Sequence, residues 1–387
     1  MGQNHRVLFV LAAHATLVSD LPVGELRQTS CCPLHAYMPE YDSLHATAGQ
    51  PKALFEGWPS SQPVQTNPAE TQLAGVKQLT FGGQNAEAYW DSTGTKIIWQ
   101  SLQPGFPDEQ IFTMNADGTG RRLVSTGLGR CTCSYFSPDG KEVYFSSTHH
   151  KNVGPQVKLD MSKGYVWKVN PQFGLWKANA DGTNLKPVIL KRGYVAETTI
   201  AADGSYMTFT GGFDGDLEIY RANLDGTNIK RLTNEFGYDG GPFVSWDGSK
   251  IVYRRAPSFT NAAEQKAYLD LWKENLVRPG RMDLWLMNAD GTGKKQVTRL
   301  PGASFAPFLH PNNRQIIFCS NFHDPKLREF DLFVVNTDGT GLKQVTFTSD
   351  FDGFPMFSKD GKKLIWASNR NGKVRGETNV FVADWKG

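Results

Sequence analysis

Short runs in which apolar residues alternate with polar ones, or crowd three or four together, recur along the chain. They include Lys141–Ser146 (KEVYFS), Lys250–Arg254 (KIVYR), Asp283–Met287 (DLWLM), Arg314–Phe318 (RQIIF), Asp331–Val335 (DLFVV) and Lys362–Trp366 (KKLIW). Runs of about five residues rich in Val, Ile, Phe, Tyr and Trp predict β-strands. Asp-Gly or Asn-x-Asp-Gly sequences bound them; there glycine reaches positive φ without strain, and Asp or Asn bonds its own backbone. The pattern is one of hairpins.

The turns come in two families at a fixed interval. Five copies of Asn-x-Asp-Gly-Thr lie at Asn115–Thr119, Asn179–Thr183, Asn223–Thr227, Asn288–Thr292 and Asn336–Thr340. A second turn follows 22 residues after each Asp, at Asp139-Gly140, Asp203-Gly204, Asp247-Gly248, Asn312-Asn313 and Asp360-Gly361. Successive Asp-Gly-Thr turns are 64, 44, 65 and 48 residues apart. All the length variation therefore falls between a second turn and the next Asp-Gly-Thr, in a connection that must be exposed to absorb it. Four antiparallel strands per unit of roughly 45 residues describe the blade of a β-propeller.

The blade count follows from the ends. Thr93–Trp99 (TGTKIIW) aligns with Asp360–Trp366 (DGKKLIW) and adds a sixth first turn, while the last unit stops after Asn379–Ala383 without a fourth strand. Gly75–Thr80 (GVKQLT) matches Gly341–Thr346 (GLKQVT) and supplies that strand from the N-terminal side. The expectation is an all-β, six-bladed propeller over residues 72–387, its ring closed by an N-terminal strand, which removes exposed sheet edges.

The Ser-Pro-Asp-Gly of Ser137–Gly140, the Tyr-Phe-Ser-Ser after it and the Asn-x-Asp-Gly-Thr copies resemble the PD40 (WD40-like) repeats of the TolB C-terminal propeller. The resemblance implies that propeller fold and, since TolB is periplasmic, a periplasmic or secreted location. This propeller serves binding proteins and hydrolases alike, so the resemblance leaves function open.

Composition narrows the field. With 41 basic and 38 acidic residues and a net charge of +3, the chain has no electrostatic footprint for nucleic acid. No apolar run reaches the length of a membrane-spanning helix. Arg6, Val7–Ala13 (VLFVLAA) and the small-residue Ala13-His14-Ala15 read as a secretory signal over residues 1–15, with a cytoplasmic terminus as the alternative. Residues 16–71 read as an extended tail. Of the five cysteines, Cys31 and Cys32 sit in that tail, while Cys131 and Cys133 lie two apart on a strand and so are expected to point to one side, as buried thiols or, alternatively, as a soft-metal pair.

The candidate chemistry gathers on the face opposite the tight turns. Two insertions lie there, residues 149–173 in blade 2 and 256–281 in blade 4. Within the second, Ala262–Leu276 predicts a short amphipathic helix, either a lid over the channel mouth or a helix packed on the rim. Aligning the blades places Asn85, Cys131, Val195, Asp239, Ser304 and Asp352 at one position where the innermost strands begin. Glu87, Cys133, Glu197, Gly241, Ala306 and Phe354 come two residues later. Asn85, Glu87, Glu197, Asp239 and Asp352 offer oxygens suited to a hard cation such as Ca2+, with solvated acids or turn caps as the plainer alternative. His150, in the blade 2 insertion, and His323, beside Asp324 in the matching loop of blade 5, face each other across the ring as candidate general bases.

No Gly-x-Ser-x-Gly, His-Glu-x-x-His or phosphate-binding glycine loop is present. Two readings remain. One is a binding module that takes a protein, peptide or glycan on its loop-bearing face. The other is a calcium-assisted hydrolase opening lactones or esters, such as a sugar lactone or an acyl-homoserine lactone. It rests on residue types shared with six-bladed propellers of the gluconolactonase and paraoxonase type, in which the cation polarises the carbonyl.

Overall fold

The computed structural model describes residues 55–155, 166–349 and 351–387; the signal segment and Cys31-Cys32 lie outside them. Six antiparallel sheets of four principal strands follow one another in chain order. The first five sheets keep sequence order from inside to outside, as in blade 5 with Ser304–Leu309, Gln315–Ser320, Asp331–Asn336 and Lys343–Gln344. In blade 6 the chain ends meet: Leu73–Gln78 pairs with the final strand Asn379–Trp385, giving the predicted closure. A fifth strand, Gln62–Pro63, adds to its outside.

That strand begins a correction to the expected tail. From Phe55 onward the segment is packed: Phe55 rests 6.2 Å from Trp99 and 5.5 Å from Phe112. Arg121 donates to the carbonyls of Pro59, Ser60 and Leu79 at 2.7–3.0 Å. Glu70 is fully buried in an ion pair with Arg370 at 3.0 Å. These contacts carry residues 55–71 across blades 6 and 1 as part of the propeller.

The Asn-x-Asp-Gly-Thr turns repeat one hydrogen-bond set five times. In each, the Thr amide and hydroxyl donate to the Asp carboxylate at 2.9–3.0 and 2.6–2.7 Å. The Asn side chain donates to the Thr hydroxyl at 2.8–3.0 Å, and the glycines hold φ of 83–91°. The Thr hydroxyl and amide hold these five carboxyls below their ordinary range. The motif is fully used in making the turn.

Apolar faces of neighbouring blades pack against each other, with Trp90, Trp99, Trp366, Phe145, Phe209 and Phe318 among the largest fully buried side chains. The innermost strands share one irregularity. In every blade the pairing of first and second strand slips by a bulge, at Ala86/Tyr89, Thr132/Tyr135, Ala196/Thr199, Gly240/Phe243, Phe305/Phe308 and Gly353/Met356.

Candidate functional site

At the first residue inside each bulge the backbone is left-handed: Glu87, Cys133, Glu197, Gly241, Ala306 and Phe354 have φ between 44° and 60°. Only one of the six is glycine, so five residues hold a conformation that side chains disfavour, at the same place in five blades. A bulge re-aims its side chain. Here it turns this set of residues into the central channel, where all six line a single cavity. Sequence alignment found the position; the left-handed backbone gives it its direction.

The cavity is floored by aromatic side chains further along the same strands. Tyr89 meets Phe243 at 5.3 Å and Tyr135 at 6.1 Å, and Phe243 meets Phe308 at 5.5 Å, so the channel is plugged toward the turn-bearing face. Its roof comes from both insertions. Trp167–Lys168 of blade 2 pairs with Leu276–Val277 of blade 4 as a small antiparallel sheet, and Trp167, Val169 and Val277 close over the cavity. The predicted helix forms at Ala262–Lys273 with no buried residue, capped by the Asn261 side chain. It sits on the rim, where Tyr268 donates to Asp216 of blade 3. The lid is therefore a strand pair; the helix is the rim element. The cavity volume is about 40 Å³, room for roughly three waters.

One ion pair dominates the wall. Arg254 donates to Glu197 and, at 2.6–3.1 Å, to the Tyr238 hydroxyl. The second Glu197 oxygen accepts from Thr210 Oγ1 at 2.6 Å and from the Gly241 amide at 2.9 Å, which saturates the carboxylate. The guanidinium lies 5.5 Å from the Trp167 ring and 5.8 Å from that of Phe305, joining wall to roof. Burial opposes its charge, but Glu197 and Tyr238 outweigh that and hold Arg254 above its ordinary pKa.

Glu87 has no such partner. Burial raises its carboxyl to about 7, against the pull of a hydrogen bond with the Cys133 thiol, and the Glu197 charge adds to the rise. The Cys133 thiol is pushed well above its usual range by burial and then by Glu87, so it stays protonated. The cavity thus holds one carboxylate paired with an arginine and one, Glu87, that burial raises to about 7.

The structure brings together two of the five predicted cation ligands. Glu87 and Glu197 line the cavity. Asn85, Asp239 and Asp352 precede the bulge and face the bodies of their blades. Asn85 Oδ1 accepts from Trp99 Nε1 at 3.0 Å and Ser101 Oγ at 2.8 Å. Asp352 accepts from Trp366 Nε1 at 3.1 Å and pairs with Arg370 at 3.1 Å. Asp239 lies 3.8 Å from Arg255, and burial, with Arg255 opposing, raises its carboxyl well above the ordinary range. The two-residue offset keeps both positions on one face of a regular strand, and the bulge breaks that parity. The same break separates Cys131, hydrogen-bonded to Ser147 Oγ at 3.3 Å inside blade 2, from Cys133 in the channel.

Neither candidate base reaches the cavity. His150 stacks 5.4 Å from Trp176 in blade 2, and burial, with Lys151 beside it, lowers its pKa to about 4. His323 lies 5.3 Å from Phe333 in blade 5 and is lowered by burial; its sequence neighbour Asp324 instead accepts the loop amides of Lys326, Arg328 and Glu329. Sequence reasoning missed Arg254, Tyr238 and Trp167. For Arg254 a signal existed: the equivalent second-strand position holds Gln100, Ser146, Thr210, Cys319 and Ala367 in the other blades, so a lone arginine there is an outlier.

No protein-family model matches the chain, and no curated protein sequence does. Solved structures share its architecture. A putative TolB from Agrobacterium tumefaciens matches with a TM-score of 0.52 at 17% identity, over 79% of this chain and 91% of that one. TolB from Acinetobacter baumannii matches at 0.51 and 15%, over 79% of this chain and only 64% of its own length. A gluconolactonase from Xanthomonas campestris matches at 0.54 and 12%, over 84% and 95%. At such identities the likeness shows a TolB-like six-bladed propeller and leaves the chemistry to the residues of this chain.

Proposed function

We propose that this propeller is a binding module whose loop-bearing face receives the terminal unit of a glycan in the roofed channel cavity. The observation that carries the reading is the convergence of six left-handed bulge residues on one cavity roofed by both insertions. Flat apolar faces of Trp167 and Phe305 beside the fixed charges of Glu197 and Arg254 suit a sugar ring, which offers C–H surface to aromatics and hydroxyls to charged groups. With room for roughly three waters, the cavity admits a sugar ring only as the Trp167–Val277 roof lifts. The Val7–Ala13 run and the TolB-like fold support a periplasmic or secreted location. Among the described residues no helix is long and apolar enough to cross a membrane.

The test is calorimetric titration with a panel of mono- and oligosaccharides against wild type, Trp167→Ala and Glu87→Gln. Saturable binding that weakens at least tenfold in Trp167→Ala supports the reading; a silent panel, or binding indifferent to both changes, rejects it.

One observation favours a second reading, an ester or lactone hydrolase. Burial raises the Glu87 carboxyl to about 7 in the wall of the roofed cavity, a value suited to a general acid–base near neutral pH. In that reading Glu87 moves the proton and the ion-paired Arg254 steadies negative charge on the carbonyl oxygen. Calcium would have Glu87 as its one unsaturated carboxylate at this cavity. Turnover of sugar lactones or acyl-homoserine lactones, abolished by Glu87→Gln, would establish it.

A further inference from the structure

The first residue of the third strand is polar and buried in five of the six blades, blade 2 having Gly174 there. Gln110, Glu218, Asp283, Asp331 and Asn379 are buried there. In blades 1, 4, 5 and 6 the side chain meets a Ser or Thr hydroxyl of the outermost segment: Gln110 with Ser125 at 2.9 Å, Asp283 with Thr298 at 3.3 Å, Asp331 with Thr346 at 3.0 Å and Asn379 with Thr80 at 3.2 Å. Where this residue is acidic, burial disfavours its charged form unless a cation is supplied. Blade 3 supplies Arg231 to Glu218, and blade 4 supplies Arg281 to Asp283 at 3.3 Å.

Blade 5 departs from that rule. Among the described residues Asp331 pairs with no Lys or Arg; its Oδ2 accepts from Gln344 Nε2 at 2.8 Å and lies 3.0 Å from His323 Nε2, with Glu329 beside them. Both ring nitrogens of His323 are buried and neither completes a hydrogen bond. One ligand atom from each of His323, Glu329 and Asp331 lies within 4.8 Å of the others, the one such group of three among the described residues. The loop that carries two of them is held rigidly: Asp324 accepts three of its amides at 2.8–3.1 Å, and Asn321 donates to the Leu327 carbonyl at 2.7 Å.

We propose that His323, Glu329 and Asp331 form a binding site for a divalent transition ion, of the zinc or manganese class, that takes the place of the arginine found in blades 3 and 4. One imidazole nitrogen with two carboxylates is a donor set for such ions, and the nitrogen disfavours calcium. A tetrahedral ion at about 2.0–2.2 Å from each ligand spaces the donors roughly 3.4 Å apart. The half-exposed Glu329 has the freedom to close that gap. The remaining coordination falls to water, and the ion fastens the 321–330 loop to the third strand. This site lies apart from the channel cavity and does not depend on what that cavity binds.

The experiment titrates ZnCl2, MnCl2 and CaCl2 separately into EDTA-treated full-length protein by calorimetry, beside Glu329→Gln and His323→Ala. Thermal melts with and without metal are recorded for each. The expected result is one equivalent of zinc or manganese bound by wild type, at least tenfold weaker in both variants, with a metal-dependent rise in melting temperature that the variants lose. Glu329→Gln changes one oxygen to nitrogen at the surface and keeps the fold, so its result stands even where His323→Ala loosens the loop. Absence of saturable zinc or manganese binding, equal affinity in Glu329→Gln, or calcium bound more tightly than both overturns the proposal.

Discussion

At the turn-bearing end of the channel, Tyr89, Tyr135, Phe243 and Phe308 touch ring to ring and include neither a carboxylate nor a guanidinium. Two residues nearer the start of the same strands, Glu87 and Cys133 face a cavity with Glu197, Arg254 and Tyr238. The strands, their pairing and their turns are common to both ends; the bulge is what separates them. Past it the side chains fill space and stabilise by burial. At it they are held in left-handed backbone, charged and part-satisfied, a cost in stability that marks a site built for something other than packing.

Breaking the charged end should have the largest effect. Arg254→Met leaves Glu197 buried without its cation and is expected to cost about 3–5 kcal/mol in chemical denaturation. Adding Glu197→Gln should restore much of it, because removing both charges leaves no orphan. An Arg254→Met protein as stable as wild type would show that the pair contributes nothing to the wall.

Glu87 sharpens the comparison through pH. The folded protein keeps the Glu87 proton to about pH 7, while the unfolded chain releases it near the ordinary value of 4.5. Between those values unfolding releases a proton, so this residue makes stability fall as pH rises, by about 3 kcal/mol across the window. Denaturant melts at pH 5 and pH 8 should differ less in Glu87→Gln than in wild type by that amount. A parallel pair of profiles would mean the carboxyl is ionised throughout.

At the plugged end Phe243→Leu keeps an apolar filler and should cost about 1.5 kcal/mol, with no pH dependence of its own. The smallest change is expected at the repeated turns, where Thr183→Val removes two side-chain hydrogen bonds at an exposed position and should lower stability by about 0.5–1 kcal/mol without touching the cavity. A turn variant that altered ligand binding would contradict the separation of the two faces.

Local chemistry made most of the fold legible. Asp-Gly and Asn-x-Asp-Gly-Thr set turn positions through contacts within five residues, and the alternation between them set the strands, so blade number and ring closure could be counted from residues alone. Helix formation at Ala262–Lys273 was equally local, with Asn261 as its cap. Glu87 and Glu197 were found because the repeat aligns them. Grouping them with Asn85, Asp239 and Asp352 assumed a regular strand, in which residues two apart share a face. Whether a strand bulges depends on its pairing with the next strand, not on its own side chains, and that decided which way each carboxylate points. The roof lay still further from local information: Trp167 meets Val277 across 110 residues, in a two-residue pairing that no periodicity announces. Arg254 became a site residue only when Glu197 of the neighbouring blade came within reach. Sequence alone determined the ring, because turns and strands are short-range; tertiary structure decided the site, because its charges and its roof come from blades that meet only after the ring has closed.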